Sequence, residues 1–171
     1  MVIIRSVIRS NALPGRDASE VVRIVNNTVS SEVGEERFAS LYYYMFDTRH
    51  RTINYCNAGH TPLLLYRADH GSFARLDTEG MPIGIELDVE YGQASCSLQP
   101  GDVVVLFTDG VVEAMNGELE QFGLERLQRV IRENNVLSAR ELTDKIYGNM
   151  TEFVGKAEQH DDATLLLMKV T

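Results

Sequence analysis

A chain of 171 residues with 44% hydrophobic content can bury one sizeable core, and no linker-like stretch divides it, so a single domain over residues 1–171 is expected. A formal charge of -9 argues against a nucleic-acid surface, which needs clustered Lys and Arg, and no apolar run approaches the length of a membrane span. The two cysteines, Cys56 and Cys96, show no CxxC or Cys-His spacing and read as reduced, buried thiols of a cytoplasmic protein.

In chain order, Ile3, Ile4, Val7 and Ile8 share one helical face and Arg5, Ser6 and Arg9 the other, which predicts an amphipathic helix over residues 2–11 rather than a signal peptide. Asn11 to Arg16 breaks it. Asp17 with Glu20 makes a capping box for a second helix, whose core face is Val21, Ile24, Val25, Val29 and Val33. After Gly34, Phe38 to Phe46 reads as a long strand and Asp47 to Arg51 as a polar turn into a strand from Thr52 to Cys56, together an antiparallel hairpin. In the tyrosine run Tyr42-Tyr43-Tyr44, alternate rings are expected to face core and solvent. Asn57 to Pro62 interrupts the pattern, Leu63 to Tyr66 resumes it, and Ala68 to Ser72 is a second hairpin turn.

Gly80-Met81-Pro82-Ile83-Gly84 marks tightly folded backbone, and Val89 to Leu98 reads as another strand. Pro100-Gly101-Asp102 then introduces the apolar run Val103 to Phe107, which stops at Thr108-Asp109-Gly110. A polar loop from Gly117 to Gly123 precedes a helix carrying Leu124, Leu127, Val130 and Ile131, ended by Asn134-Asn135. Ser138 and Glu141 form a second capping box, and Leu142, Ile146, Met150 and Phe153 or Val154 line the next helix. A last strand runs from Ala163 to Val170. Short strands joined by tight turns, with helices at the start and near the end, predict an α+β fold on antiparallel sheets.

Two buried strands presenting acid at their ends, Asp109 at one and Asp161-Asp162 at the other, point to a site for a hard cation. Asp109-Gly110 alone is equally the chemistry of a tight turn. Two closely spaced Mg²⁺ or Mn²⁺ ions can make hydroxide from water and clamp a phosphoryl group for in-line attack.

The segments Phe38-Ala39-Ser40-Leu41, Asn57-Ala58-Gly59-His60-Thr61-Pro62, Gly80-Met81-Pro82-Ile83-Gly84, Leu98-Gln99-Pro100-Gly101-Asp102, Phe107-Thr108-Asp109-Gly110-Val111-Val112-Glu113-Ala114, Phe122-Gly123 and Gln159-His160-Asp161-Asp162-Ala163-Thr164 occur in one order. In that order the chain resembles the SpoIIE/RsbU-type bacterial serine phosphatases of the PPM (protein phosphatase 2C-like) superfamily. The resemblance implies an antiparallel β-sandwich flanked by helices, a centre of two Mn²⁺ or Mg²⁺ ions, and hydrolysis of phosphoserine or phosphothreonine on a regulatory protein, in many relatives an anti-sigma-factor antagonist. It also implies control by an upstream sensor or receiver domain. Asp109 and Asp161 match the metal-binding aspartates through which the chemistry runs; Gly110 belongs to the same motif, and Asp162 joins the metal group by orienting the loop or a metal-bound water. An Asp-x-x-Gly-x-Gly motif that family members carry upstream, whose aspartate bridges the two ions, has no counterpart here. The chain therefore resembles a C-terminal portion of the domain, expected to bind metal weakly and to turn over little.

Asn57, Gly59, His60 and Glu113 are further candidates for the loops around the site. His60 can act as an acid or brace the turn begun at Asn57, and Glu113 can approach the metals or stay solvated. His160 suggests zinc, but no second ligand stands at the required spacing. The alternative to an enzyme is a non-catalytic phosphatase-like interaction module, which exposed sheet edges would allow to dimerise.

Overall fold

The computed structural model describes residues 2–32, 38–157 and 161–171, so the expectations placed on Val33, Gln159 and His160 lie outside the described residues. Its contacts gather into two compact units, residues 1–62 with 76–98 and residues 63–75 with 99–171. The expected α+β class with antiparallel sheets is what the chain adopts. No described helix is long and apolar enough to cross a membrane.

The first unit holds α1 (Val2–Asn11), α2 (Ala18–Glu32) and an antiparallel sheet of order β1-β2-β5, formed by Leu41–Asp47, Thr52–Ala58 and Ala94–Ser97. The first helix buries none of its residues completely; Ile4, Val7 and Ile8 lean on a core built by Val21, Val22, Val25 and Val29 of α2 with Tyr43 and Cys56. Ile24, expected in that face, is only half-buried, and Asn26 is fully buried, its side chain donating to Glu86 O and accepting from Gly84 N–H. Glu20 pairs with Arg16 at 3.3 Å, a contact within the same turn that the capping-box reading did not foresee.

The hairpin forms as read, with Asp47 opposite Thr52. In its turn, Asp47 Oδ1 accepts the N–H of Arg49 and of His50, and its Oδ2 meets the His50 ring at 2.7 Å, which holds the Asp47 carboxyl down at about 2. The first strand is shorter than predicted. Ala39 leaves the β1 ladder to bridge Ile83, exchanging two backbone hydrogen bonds with it, so residues 38–40 pair with the Gly80–Gly84 loop instead. Tyr42 and Tyr43 are both buried, on opposite faces, because Tyr42 stacks on Tyr55 while Tyr43 enters the core under α2; the expected core-solvent alternation fails. The predicted strand from Val89 shrinks to Ala94–Ser97, since Gly92 N–H is taken by Glu79 O and the Gln93 side chain by Ser19.

The second unit is a sheet of order β4-β3-β6-β7, from Ser72–Leu76, Leu63–Arg67, Val103–Phe107 and Leu165–Lys169, with α3 (Asp109–Val112), α4 (Gly123–Glu133) and α5 (Ala139–Val154). Leu64, Tyr66, Val103, Val105 and Phe107 meet Leu127, Val130 and Ile131 of α4 and Leu142 and Ile146 of α5. The intervening Leu63, Leu65 and Val104 are buried as well, which is why these strands read as unbroken apolar runs. The last strand departs from the sequence reading: it is only partly buried and Leu166 is 46% exposed. The N-terminal cap of α5 follows the sequence, Ser138 and Glu141 forming a reciprocal capping box, and Gly155 ends the helix at a φ of 62°.

One buried carboxylate anchors the entry to β6. Asp102 is fully buried and accepts from Arg67 Nη1 at 2.8 Å, Gln99 N–H at 2.9 Å and Ala68 N–H at 3.1 Å. Removing one partner of such a group leaves the others without compensation, so Asp102→Ala is expected to cost about 3 kcal/mol, read as a lower urea midpoint at unchanged slope. The thiols differ too. Cys56 is buried and pushed up to about 12 by desolvation, whereas Cys96 is half-exposed. Cys96 should therefore react with a disulfide reagent in the native protein and Cys56 only after unfolding; equal native rates would contradict the packing.

Candidate functional site

The site region follows from how β6 and β7 pair. They run antiparallel with Phe107 opposite Leu165, so the residues after Phe107 and before Leu165 leave the sheet at one end. Thr108 joins the two segments there. Its N–H donates to Thr164 O at 3.1 Å, its hydroxyl donates to Asp162 O at 3.0 Å, and that hydroxyl accepts from Thr164 N–H at 2.9 Å. With the hydroxyl so engaged, Thr108 starts α3 in extended geometry (φ −86°, ψ 158°) without a side-chain cap.

Asp109 thus opens a one-turn helix, where the sequence suggested only a strand end or tight turn. Glu113 N–H closes that turn on Asp109 O at 2.8 Å. Gly110 is buried against the other segment: a Cβ there would lie 2.6 Å from the Asp162 carbonyl oxygen and 2.9 Å from its carbon, closer than any real side chain comes. Here glycine is required by the close approach of two backbones. On the facing segment, Asp161 Oδ1 accepts the N–H of Asp162 at 2.7 Å, and the Tyr147 hydroxyl of α5 donates to Ala163 O at 3.1 Å. Residues 161–164 are held from the strand side and the helix side.

Asp109, Gly110, Asp161 and Asp162 are therefore brought to one end of the β6-β7 pair, with all three carboxylates exposed. Glu113, also exposed, lines one cavity with Gly110 and Asp161. Carboxylate oxygens from two chain segments suit Mg²⁺ or Mn²⁺ in kind. In number they fall short, since no group of three or more His, Cys, Asp or Glu among the described residues is gathered closely enough to hold an ion.

Asn57, Gly59 and His60 belong to the other unit, where they make a braced turn. Asn57 is 4% exposed; its side-chain oxygen accepts His60 N–H at 2.9 Å, and its amide donates to His60 O at 2.9 Å and to Asp77 Oδ1 at 2.7 Å. Gly59, at a φ of +71°, has no room for a Cβ beside Pro82, and Gly80 none beside the Asn57 carbonyl and the Tyr91 ring. The two glycine-containing loops therefore interlock. The His60 ring contacts Thr61 O at 3.1 Å through Nδ1.

Sequence reasoning missed Thr108 and Tyr147. The first had a legible signal, a hydroxyl directly before Asp109; the second sat between helix positions read only for apolar periodicity.

Comparison with known proteins bears on the family and the fold. The phosphoserine phosphatase RsbU of Bacillus subtilis is 32% identical over 157 residues, which are 91% of this chain and 46% of RsbU, so the chain spans less than half the length of that relative. Among solved structures, the SiaA-PP2C domain of Pseudomonas aeruginosa superposes with a TM-score of 0.83 at 22% identity, covering 99% of this chain and 68% of that one. The catalytic domain of the serine threonine protein phosphatase PstP, in complex with two manganese ions, gives 0.68 at 14% identity over 99% of this chain and 80% of its own. The family described as Stage II sporulation protein E (SpoIIE) matches residues 1–171. With that match across its whole length and a PP2C-type fold, the chain belongs to the SpoIIE family.

Proposed function

We propose that this chain is the catalytic part of a metal-dependent protein serine/threonine phosphatase acting on phosphoserine or phosphothreonine of a regulatory protein, an anti-sigma-factor antagonist being the partner the resemblance favours. The observation that carries this reading is the stitched end of β6 and β7, where Asp109 and Asp161 come from distant parts of the chain onto one rigid backbone frame. RsbU is a phosphoserine phosphatase by name and PstP holds two manganese ions, which supports both the reaction and the cofactor.

In this reading Asp109 and Asp161 are the carboxylates that would hold Mn²⁺ or Mg²⁺. When bound, such ions supply an activated water and a positive clamp for the phosphoryl oxygens. The chain's own part is positional. Thr108 and Tyr147 fix the backbone on which Asp161 and Asp162 stand, and Gly110 permits that backbone to approach α3. Exposed carboxylates alone repel a phosphate dianion, so phosphate recognition at this end depends on a bound cation. Asn57, Gly59 and His60 keep a structural role in their own turn, and Glu113 stands beside the carboxylates. An upstream sensor or receiver domain would control the activity.

The gathering of fewer than three ligand side chains among the described residues leaves room for a second reading, a phosphatase-like module that binds a regulatory protein or a second copy without turnover. Hydrolysis of an aryl phosphate with and without millimolar Mn²⁺, beside calorimetric Mn²⁺ titration, separates the two. Weak metal-stimulated turnover and weak binding are expected, and the absence of both would leave the module. Loss of an outer-shell partner costs about 10–100-fold, so Asp109→Asn and Asp161→Asn should each lower turnover by more than about 100-fold and weaken Mn²⁺ binding, with an unchanged melting profile. Full activity in either variant overturns the assignment.

Gly110→Ala tests the frame itself. Its Cβ must push the 161–163 segment away, and a shift on the order of 1 Å at a reacting centre costs about 100-fold. The expected result is a comparable fall in kcat, with backbone amide shifts concentrated at residues 161–164; wild-type kcat would show that the close approach has no part in the chemistry.

A further inference from the structure

Beside the carboxylate end lies a cavity of about 260 Å³ whose apolar wall the phosphatase chemistry does not use. Its apolar lining comes from Ala114 and Met115, just after α3, and from Met150 and Val154 of α5, with Ala157 beyond the helix. The lining residues open to solvent include Glu113, Thr151 and Asp161. Whole small-molecule sites usually run to about 300–1,000 Å³, so this one suits a single large side chain better than a complete ligand. Two methionines give it a wall that adapts to shape.

Charge narrows the occupant further. Glu113 stands at the solvent side, and α5 ends at Gly155, which also lines the cavity, so the helix presents the negative end of its dipole there. An anionic occupant meets both fields, and a charge of either sign loses its hydration against the apolar wall. A neutral apolar group suffers neither cost and gains by burial. Because Gly110 and Asp161 belong to both the cavity and the carboxylate end, a chain whose phosphorylated residue reaches one has its flanking residues at the other.

We propose that this cavity is a substrate subsite that accepts an apolar side chain, of leucine, methionine or phenylalanine type, flanking the phosphorylated serine or threonine of the protein substrate. The proposal rests on the phosphatase reading given above, and its test distinguishes the two. Phosphoserine peptides of alanine background, each with one leucine moved along the positions on either side of the phosphoserine, would be compared with an aryl phosphate on the whole chain. One leucine position should raise kcat/KM about tenfold over the all-alanine peptide, and aspartate there should lower it. Thr151→Phe, on the exposed side of α5, should fill the cavity and erase that preference while leaving the aryl phosphate and all-alanine rates unchanged. Ala157→Leu gives a second filling variant should the first perturb the helix.

A binding arm needs no turnover. The methyl resonances of Met115 and Met150 should shift on adding the dephosphorylated leucine peptide, and not in Thr151→Phe. Hydrolysis of the aryl phosphate with no leucine preference and no methyl shift overturns the subsite and leaves the phosphatase reading standing. Methyl shifts without any hydrolysis overturn the phosphatase reading and the substrate role with it.

Discussion

The pairing of β6 with β7 is the constraint on which the rest of the second unit depends. Antiparallel register decides that the C-terminal end of one strand and the N-terminal end of the other share a place, and the three hydrogen bonds of Thr108 extend that register past the last ladder pair. Everything proposed for the site follows from the extension. Asp109 and Asp161 stand on backbone that neither strand alone would order, and Gly110 lets the two segments touch where any Cβ would hold them apart.

Support from outside the sheet has the same character. Tyr147 reaches from α5 to the Ala163 carbonyl, and Lys169 near the end of β7 donates to the carbonyls of Asn135 and Leu137, tying the loop between α4 and α5 to the strand. Asp102 does the equivalent work where β6 begins. These are contacts made by single polar side chains, mostly to backbone groups. Each ties a loop to a strand or a helix without enlarging the core.

This division explains what could be read from the chain. Apolar periodicity over long segments gave α1, α4 and α5 and the packing faces of α4 and α5, whereas Ile3 of the face read for α1 is 39% exposed; the Ser138-Glu141 box was visible because both halves of it lie within four residues. The acid end was legible in Asp109 and Asp161 because an apolar run stopping at a carboxylate is a local signal. What escaped were features set by distant partners: Ala39 leaving the hairpin for Ile83, Gln93 turning toward Ser19, and Tyr42 and Tyr43 buried on opposite faces. The one-turn helix at Asp109 is too short for any periodicity, and Thr108 carries a role that appears only when residue 164 is beside it.

The separation of Asp109 and Asp161 along the chain has a consequence in time. Between β6 and β7 lie α3, α4 and α5, so pairing the two strands closes a long loop, and the entropy of that closure must be met before the pairing returns anything. The helical hairpin of α4 and α5 can form from local contacts while the acid end does not yet exist. A newly made chain thus passes through a stage in which Asp109 is present without its counterpart. The end of the sheet that brings Asp109 and Asp161 together is complete only once β6 and β7 have paired, which couples that end to completion of the second unit.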